Sequence, residues 1–193
     1  DPGETQKHDV AKPGAVDRKR AMTGHGALPY RRPGLDAAQT TLPAGRPRTA
    51  KGGTEVSNTD HELRSILSSA KNIAVVGIKD AEREDAFRIP RYLQECGYRI
   101  LPVNPKLETA LGEPCCGSLS EITEPIDIVD LFRAPSHIPG HVDEILSLAQ
   151  PPAAVWMQLG ILHGESASRL RSEGIHVVQD LCIMVEHRRL LGE

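Results

Sequence analysis

Asn72-Ile-Ala-Val-Val-Gly-Ile-Lys-Asp80, followed after a helical stretch by Arg99-Ile-Leu-Pro-Val-Asn-Pro105, decides the fold. A short apolar run that stops at a glycine, then a helix, then a second apolar run reads as the first β-α-β unit of a nucleotide-binding sheet. Ile73 to Val76 show no polar alternation, which fits a parallel strand buried on both faces. Gly77 ends the run, where a residue without a Cβ lets the backbone turn sharply and leaves room for a ligand.

Working outward, Ile89, Tyr92, Leu93 and Cys96 recur at helical spacing, and Gly97 ends that helix. Proline is tolerated best in a first turn, so Pro90 predicts a start between Ala86 and Ile89. The free N–H groups of that start point back toward Gly77, where an anion is favoured. Upstream, Thr59 and Glu62 have the spacing of a capping box, ahead of Leu63, Ile66, Leu67 and Ala70 on one helical face. Downstream, strands are expected at 126–132, 153–159 and 176–179. Ser136 is expected to cap a helix carrying Ile138, Val142, Ile145, Leu146 and Ala149. Further helices are expected at 165–173 and 182–190. Alternation of this kind implies an α/β fold, a doubly wound parallel sheet covered on both faces with right-handed crossovers.

The composition sets bounds. With 39% hydrophobic residues and only 3% aromatic, the core must be aliphatic. A formal charge of -3 gives no overall attraction to nucleic acid or acidic membranes, and no apolar run approaches a membrane span. Cys96, Cys115, Cys116 and Cys182 have neither the paired spacing of a zinc site nor the density of a disulfide scaffold. Reduced thiols and a cytoplasmic location are expected; no signal-peptide apolar region is seen.

Residues 1–58 are rich in proline and glycine and lack apolar periodicity. They carry ten Lys and Arg against six Asp and Glu, whereas residues 59–193 carry thirteen against twenty. A segment of that composition buries too little apolar surface to offset its ordering entropy, so 1–58 is read as a disordered basic tail and 59–193 as the folded domain. A transit peptide would want more serines and an amphipathic helix, and clusters such as Arg18-Lys19-Arg20 are ordinarily solvated.

Ligands of such sheets bind beyond the carboxyl ends of the strands, which singles out 77–83, 104–106, 133–136, 158–161 and Asp180. The dinucleotide pattern is missing: only Gly77 follows the first strand, and the second ends in Val103-Asn104-Pro105-Lys106 rather than at a carboxylate. No P-loop occurs. Lys79, Arg83, Arg88, Lys106 and Arg133 stand at these strand ends, a set that suits a ligand with several phosphates. Pro105 and Pro135 could frame an adenine.

The chain here resembles a known family. Val76-Gly77, Phe87-Arg88 with Tyr92-Leu93, Val103-Asn104-Pro105, Leu111-Gly112, Asp127-Ile-Val-Asp130 with Phe132-Arg133-Ala134-Pro135, Trp156-Met-Gln-Leu-Gly160 and Asp180-Leu-Cys182 with Glu186 look like the small bacterial CoA-binding proteins with a Rossmann-like fold. The likeness runs from about Ser57 to Leu190. It implies a stand-alone relative of the CoA-binding domain of the succinyl-CoA synthetase α subunit. On that likeness the Gly77, Ile78 and Lys79 turn, with Arg83 and Arg88 near the next helix start, would meet the phosphates of coenzyme A. Asn104, Pro105 and Lys106 would flank the adenosine together with Ala134, Pro135 and Ser136, and Gln158 to Gly160 would line the pantetheine path. Where the family has Pro-Ser-Tyr-Arg, this chain has Asp85-Ala86-Phe87-Arg88, which removes a hydroxyl and adds a carboxylate.

Reactive groups are few. His163 follows a strand end and could act as an acid or base, though a helix start is its commoner role. His137 and His141 have i, i+4 spacing but no third ligand, so no metal site is expected. Cys182 is placed to meet the CoA sulfur or to lie buried, and Cys115-Cys116 read as free thiols. The expectation is non-catalytic binding of coenzyme A or an acyl-CoA. The alternatives are a regulatory module responding to NAD(P) or a CoA disulfide, and an acyl-CoA-processing enzyme using His163 or Cys182.

Overall fold

The computed structural model describes residues 58–192. The reading of 1–58 as a disordered tail thus falls outside the described residues except at Asn58, whose side chain bonds the carbonyl of Val177 (3.3 Å) and His176 Nε2 (2.6 Å).

Five parallel strands form the sheet: β1 (Asn72–Val76), β2 (Arg99–Val103), β5 (Ile128–Leu131), β6 (Ala154–Met157) and β7 (His176–Val178). Their spatial order is β2-β1-β5-β6-β7. The chain therefore moves outward from β1 to β2, returns to the other side of β1 and continues through β5 to β7. The switch point lies between β1 and β5.

Residues of β1 alternate between the faces, as a strand's two-residue period requires. Ile73 and Val75 join Leu63, Leu67, Ile89, Leu93 and Ile183 in a core under α1 (Asp60–Ser69), α2 (Asp85–Glu95) and α5 (Ile183–Leu191). Ala74 and Val76 face Val142, Ile145, Ala167 and Leu170 under α3 (Ile138–Leu146) and α4 (Gly164–Ser172). The doubly wound arrangement expected from the alternation of elements is present.

The capping box at Thr59 is formed, with Glu62 accepting the Thr59 N–H (2.8 Å) and Thr59 accepting that of Glu62 (3.3 Å). Arg189 of α5 reaches both carboxylate oxygens of Asp60 (2.7 Å each) and Glu186 (2.6 Å), clamping α5 to α1.

Three local expectations are corrected. Ser136 does not cap α3 with its side chain; it sits in a 3-10 turn, Pro135–His137, that leads into the helix. Second, α2 begins at Asp85, which puts Pro90 beyond the first turn. Proline lacks the N–H that would bond the Ala86 carbonyl, and that carbonyl instead accepts the N–H of Lys79 (3.2 Å). Third, the stretch after β2, to which the sequence reading assigns no element, contains a small hairpin, β3 (Thr109–Ala110) and β4 (Glu113–Pro114). It turns at Leu111 and Gly112, both with positive φ (53° and 79°).

Candidate functional site

Beyond the ends of β1, β5 and β6 lies an open cleft of about 540 Å³. Its floor depends on Gly77, whose φ of +86° belongs to the left-handed region. A Cβ there would stand 2.7 Å from the Phe132 carbonyl oxygen and 2.8 Å from Cδ of Arg133. The Gly77 N–H donates to the Val103 carbonyl (2.9 Å), which ties the turn to β2.

Two cations line the cleft, Lys79 and Arg133, together with Ala134 and Pro135. Lys79 Nζ lies 3.9 Å from Glu84, an exposed pairing of little strength. Arg133 differs. It makes no ion pair among the described residues, and its Nε is buried without a hydrogen-bond partner. A guanidinium held against the cleft in this way fits a phosphate or another anion that could complete it. Opposing it are carboxylates: Glu84, which precedes α2, and Asp85 in its first turn both line the cleft. Ile89, Phe132, Leu159 and Ile161 add apolar surface, and Cys182, half-buried at the N-cap of α5, completes the lining.

Gln158 lines the cleft from its buried side, only 4% exposed. Its Nε2 donates to Asp130 Oδ1 (2.8 Å), and its Oε1 accepts the N–H of Ile183 at the start of α5 (3.4 Å). Asp130 is wholly buried, its Oδ2 has no partner, and burial pushes its pKa up to about 8 against the opposing effect of the Gln158 bond.

Lys79, Arg133, Ala134, Pro135, Gln158, Leu159, Gly160, Ile161 and Cys182 are thus brought together beside the Gly77 turn, and the remaining residues singled out from the sequence stand apart. Ile78 is buried in the core. Asn104 turns inward, donating to the Ile78 carbonyl (2.7 Å) and accepting from the Lys106 N–H (3.0 Å), so it braces the two loops. Pro105, Lys106 and Ser136 are exposed outside the cleft, as is Arg83. Arg88 pairs with Asp85 (3.2 Å) and lines a different groove with Phe87, Tyr92 and Arg188. The Gly160 N–H is taken by Asp180 Oδ1 (2.7 Å).

His163 lies outside the cleft lining and serves as the N-cap of α4, its Nδ1 accepting the Ser166 N–H (3.2 Å). His141 is drawn to Glu144 (3.6 Å), and burial lowers its pKa. Among the described residues no group of three His, Cys, Asp or Glu is arranged to hold a metal, and no helix is long and apolar enough to cross a membrane.

Sequence reasoning assigned no role to Asp130 or to Glu84. Asp130 had a signal, a lone carboxylate inside the apolar run Ile128-Val-Asp-Leu131 of a buried strand. Glu84 had none beyond its place before a helix.

The description CoA binding domain matches residues 71–188, all of them within the described part. Uncharacterized protein YneT of Bacillus subtilis (strain 168) is 40% identical over 126 residues, 65% of this chain and 92% of that protein. Acetate--CoA ligase [ADP-forming] of Methanocaldococcus jannaschii is 30% identical over 69 residues, 36% of this chain but 10% of that much longer enzyme. Two solved structures are similar over nearly their full length. Cell-free ID.343 from Thermus thermophilus shares 47% identity at a TM-score of 0.66, covering 69% of this chain and 99% of that one. A hypothetical protein from Pyrococcus horikoshii OT3 shares 34% at 0.68, covering 75% and 100%. With the family pattern spanning more than half of its residues, on the fold and switch-point cleft described above, this chain belongs to the CoA binding domain family.

Proposed function

We propose that the switch-point cleft binds coenzyme A or an acyl-CoA without covalent attachment and without catalytic groups of its own. The observation that carries this reading is the unpaired Arg133 lying over Gly77, with a buried Nε and no carboxylate partner, in a chain of the CoA binding domain family. Arg133 and Lys79 would receive the phosphates, and Ala134 and Pro135 the adenosine. Gln158, Gly160 and the apolar Leu159 and Ile161 would border the pantetheine arm, with Cys182 available to meet the thiol. Gly77, Ile78 and Asn104 act by shaping the loops, Arg83 and Lys106 supply positive charge near the same sheet edge rather than direct contacts, and Arg88, paired with Asp85 in a different groove, takes no direct part. Pro105 and Ser136 take no direct part.

Bound coenzyme A supplies a thiol or thioester; the residues of this chain bind and orient it. His163 is a poor candidate for acid–base work on this ligand because it lies outside the cleft lining, where it caps α4. The four cysteines are free thiols, in keeping with a reducing, cytoplasmic setting. A variant of the same reading, in which a CoA disulfide exchanges with the protein, is favoured by one observation, the position of Cys182 in the cleft lining.

Calorimetric titration with coenzyme A, acetyl-CoA and NAD tests the proposal. Saturable heat with a CoA species and weaker binding of NAD are expected. No heat with any CoA species, or tighter binding of NAD, overturns it.

A further inference from the structure

A carboxyl group in the middle of a buried parallel strand is costly unless something uses it. Asp130 is wholly buried, flanked in the sheet by Val75 and Trp156, and reached by one donor, the Gln158 amide. The orientation of that amide is fixed by its other partner. The Ile183 N–H can only donate, so Oε1 faces α5 and Nε2 faces Asp130. A neutral Asp130 therefore carries its proton on Oδ2, the oxygen that no donor reaches. Gln158 lines the cleft, and a primary amide has a second N–H and a further lone pair beyond the two bonds to Asp130 and Ile183. The chain Asp130, Gln158, Ile183 joins a buried proton site to the cleft and to the start of α5, next to Cys182.

From this arrangement we infer that Asp130 is a proton-linked positioning residue: its neutral form holds Gln158 for the ligand, and its ionisation opposes binding of an anionic CoA species. The inference rests on the cleft being the CoA site. Ionised Asp130 would place a negative charge beneath a cleft that receives phosphates, and would bind the Gln158 amide more tightly to itself. Burial raises the pKa of Asp130, and the bond from Gln158 opposes it. Among the charged groups on the helices of this face, Asp60 and Glu186 pair with Arg189, Asp85 with Arg88 and Glu95 with Arg91, while Glu62 bonds Thr59, Arg64 bonds the Leu190 carbonyl and Arg188 lies over the Tyr92 ring. His187 is held by Tyr92 (2.9 Å), and Cys96, Cys115 and Cys182 are the thiols on the same side.

Two measurements on the full chain test it. The first follows the Asp130 carboxyl carbon by NMR from pH 6 to pH 10, without and with saturating coenzyme A. The midpoint is expected to rise on binding; an unchanged midpoint overturns the inference without any mutation. The second compares the pH dependence of coenzyme A affinity in the native protein and in Asp130→Asn, so that titrations of the ligand itself cancel. Native affinity is expected to fall roughly threefold or more relative to that of the variant on going from pH 7 to above the midpoint. Parallel profiles overturn the inference and leave the CoA reading intact. No binding by either protein at any pH overturns both.

Discussion

The side chain of Arg133 lies across the space that a Cβ on Gly77 would fill: Cδ is 2.8 Å from that position, and the Phe132 carbonyl oxygen is 2.7 Å from it. The glycine at the end of β1 thus serves the exit of β5. It lets the two loops of the switch point approach, and it seats the cleft's one guanidinium that has no carboxylate partner among the described residues. The opposing contact from the backbone of Phe132 cannot swing away as a side chain would.

Gly77→Ala should therefore both destabilise the domain and weaken ligand binding. An L-residue at a φ of +86° costs roughly 1–2 kcal/mol, and the clash with Phe132 adds to it. Urea denaturation is expected to show a loss of about 1–3 kcal/mol. A variant as stable as the native chain, with unchanged affinity, contradicts the role given to this turn.

Arg133→Ala separates binding from folding. Arg133 makes no ion pair among the described residues and its Nε is unsatisfied, so its removal should cost little stability. If it bonds a phosphate, coenzyme A affinity should fall by about 1.5–3 kcal/mol. Calorimetry and denaturation on the same preparation check the two halves; equal losses in both would mean that Arg133 is part of the scaffold.

Much of the fold is legible in the sequence because parallel strands buried on both faces leave unbroken apolar runs. Ile73 to Val76 and Ile128 to Leu131 were recognisable for that reason, the latter despite Asp130. The capping box at Thr59 is a purely local signal and forms as expected. The site is less legible, since which way a loop side chain faces is set by partners far along the chain. Asn104 has the chemistry of a ligand contact but is claimed by the Ile78 carbonyl. Arg88 turns to another groove because α2 starts at Asp85 and fixes its helical phase. Gly160 loses its N–H to Asp180, a partner twenty residues on.

Pro90 offers a test of that long-range bookkeeping. Its missing N–H leaves the Ala86 carbonyl to the Lys79 amide, and that bond ties the loop after β1 to the helix bordering the cleft. Pro90→Ala supplies an amide that competes for the same carbonyl. Removing an interior proline can gain up to about 3 kcal/mol of helix stability, but here the gain is offset by the loosened loop. A stability change of less than about 1.5 kcal/mol is expected, with faster hydrogen exchange at the Lys79 amide. Unchanged exchange at Lys79 would show that the loop does not depend on the proline.

The stability of the domain should also carry the mark of Asp130. Its folded pKa of about 8 lies above the ordinary value of 3.8, so between those values the folded state binds a proton that the unfolded state has released. The stabilising contribution of the neutral carboxyl is complete below the ordinary carboxylate range and is lost as pH rises through about 8. Asp60, Glu62 and Glu124, whose pKa values are lowered by their partners, act with the opposite sign and only in acid. Asp130→Asn leaves those groups untouched and removes this one. The unfolding free energy of the variant minus that of the native protein should therefore grow more favourable from pH 5 to pH 9, in the direction of a relatively more stable variant at alkaline pH. Urea titrations at pH 5, 7 and 9 measure that difference; a value independent of pH would mean that Asp130 is ionised throughout, and that the buried carboxylate finds its compensation in the protein rather than in a proton.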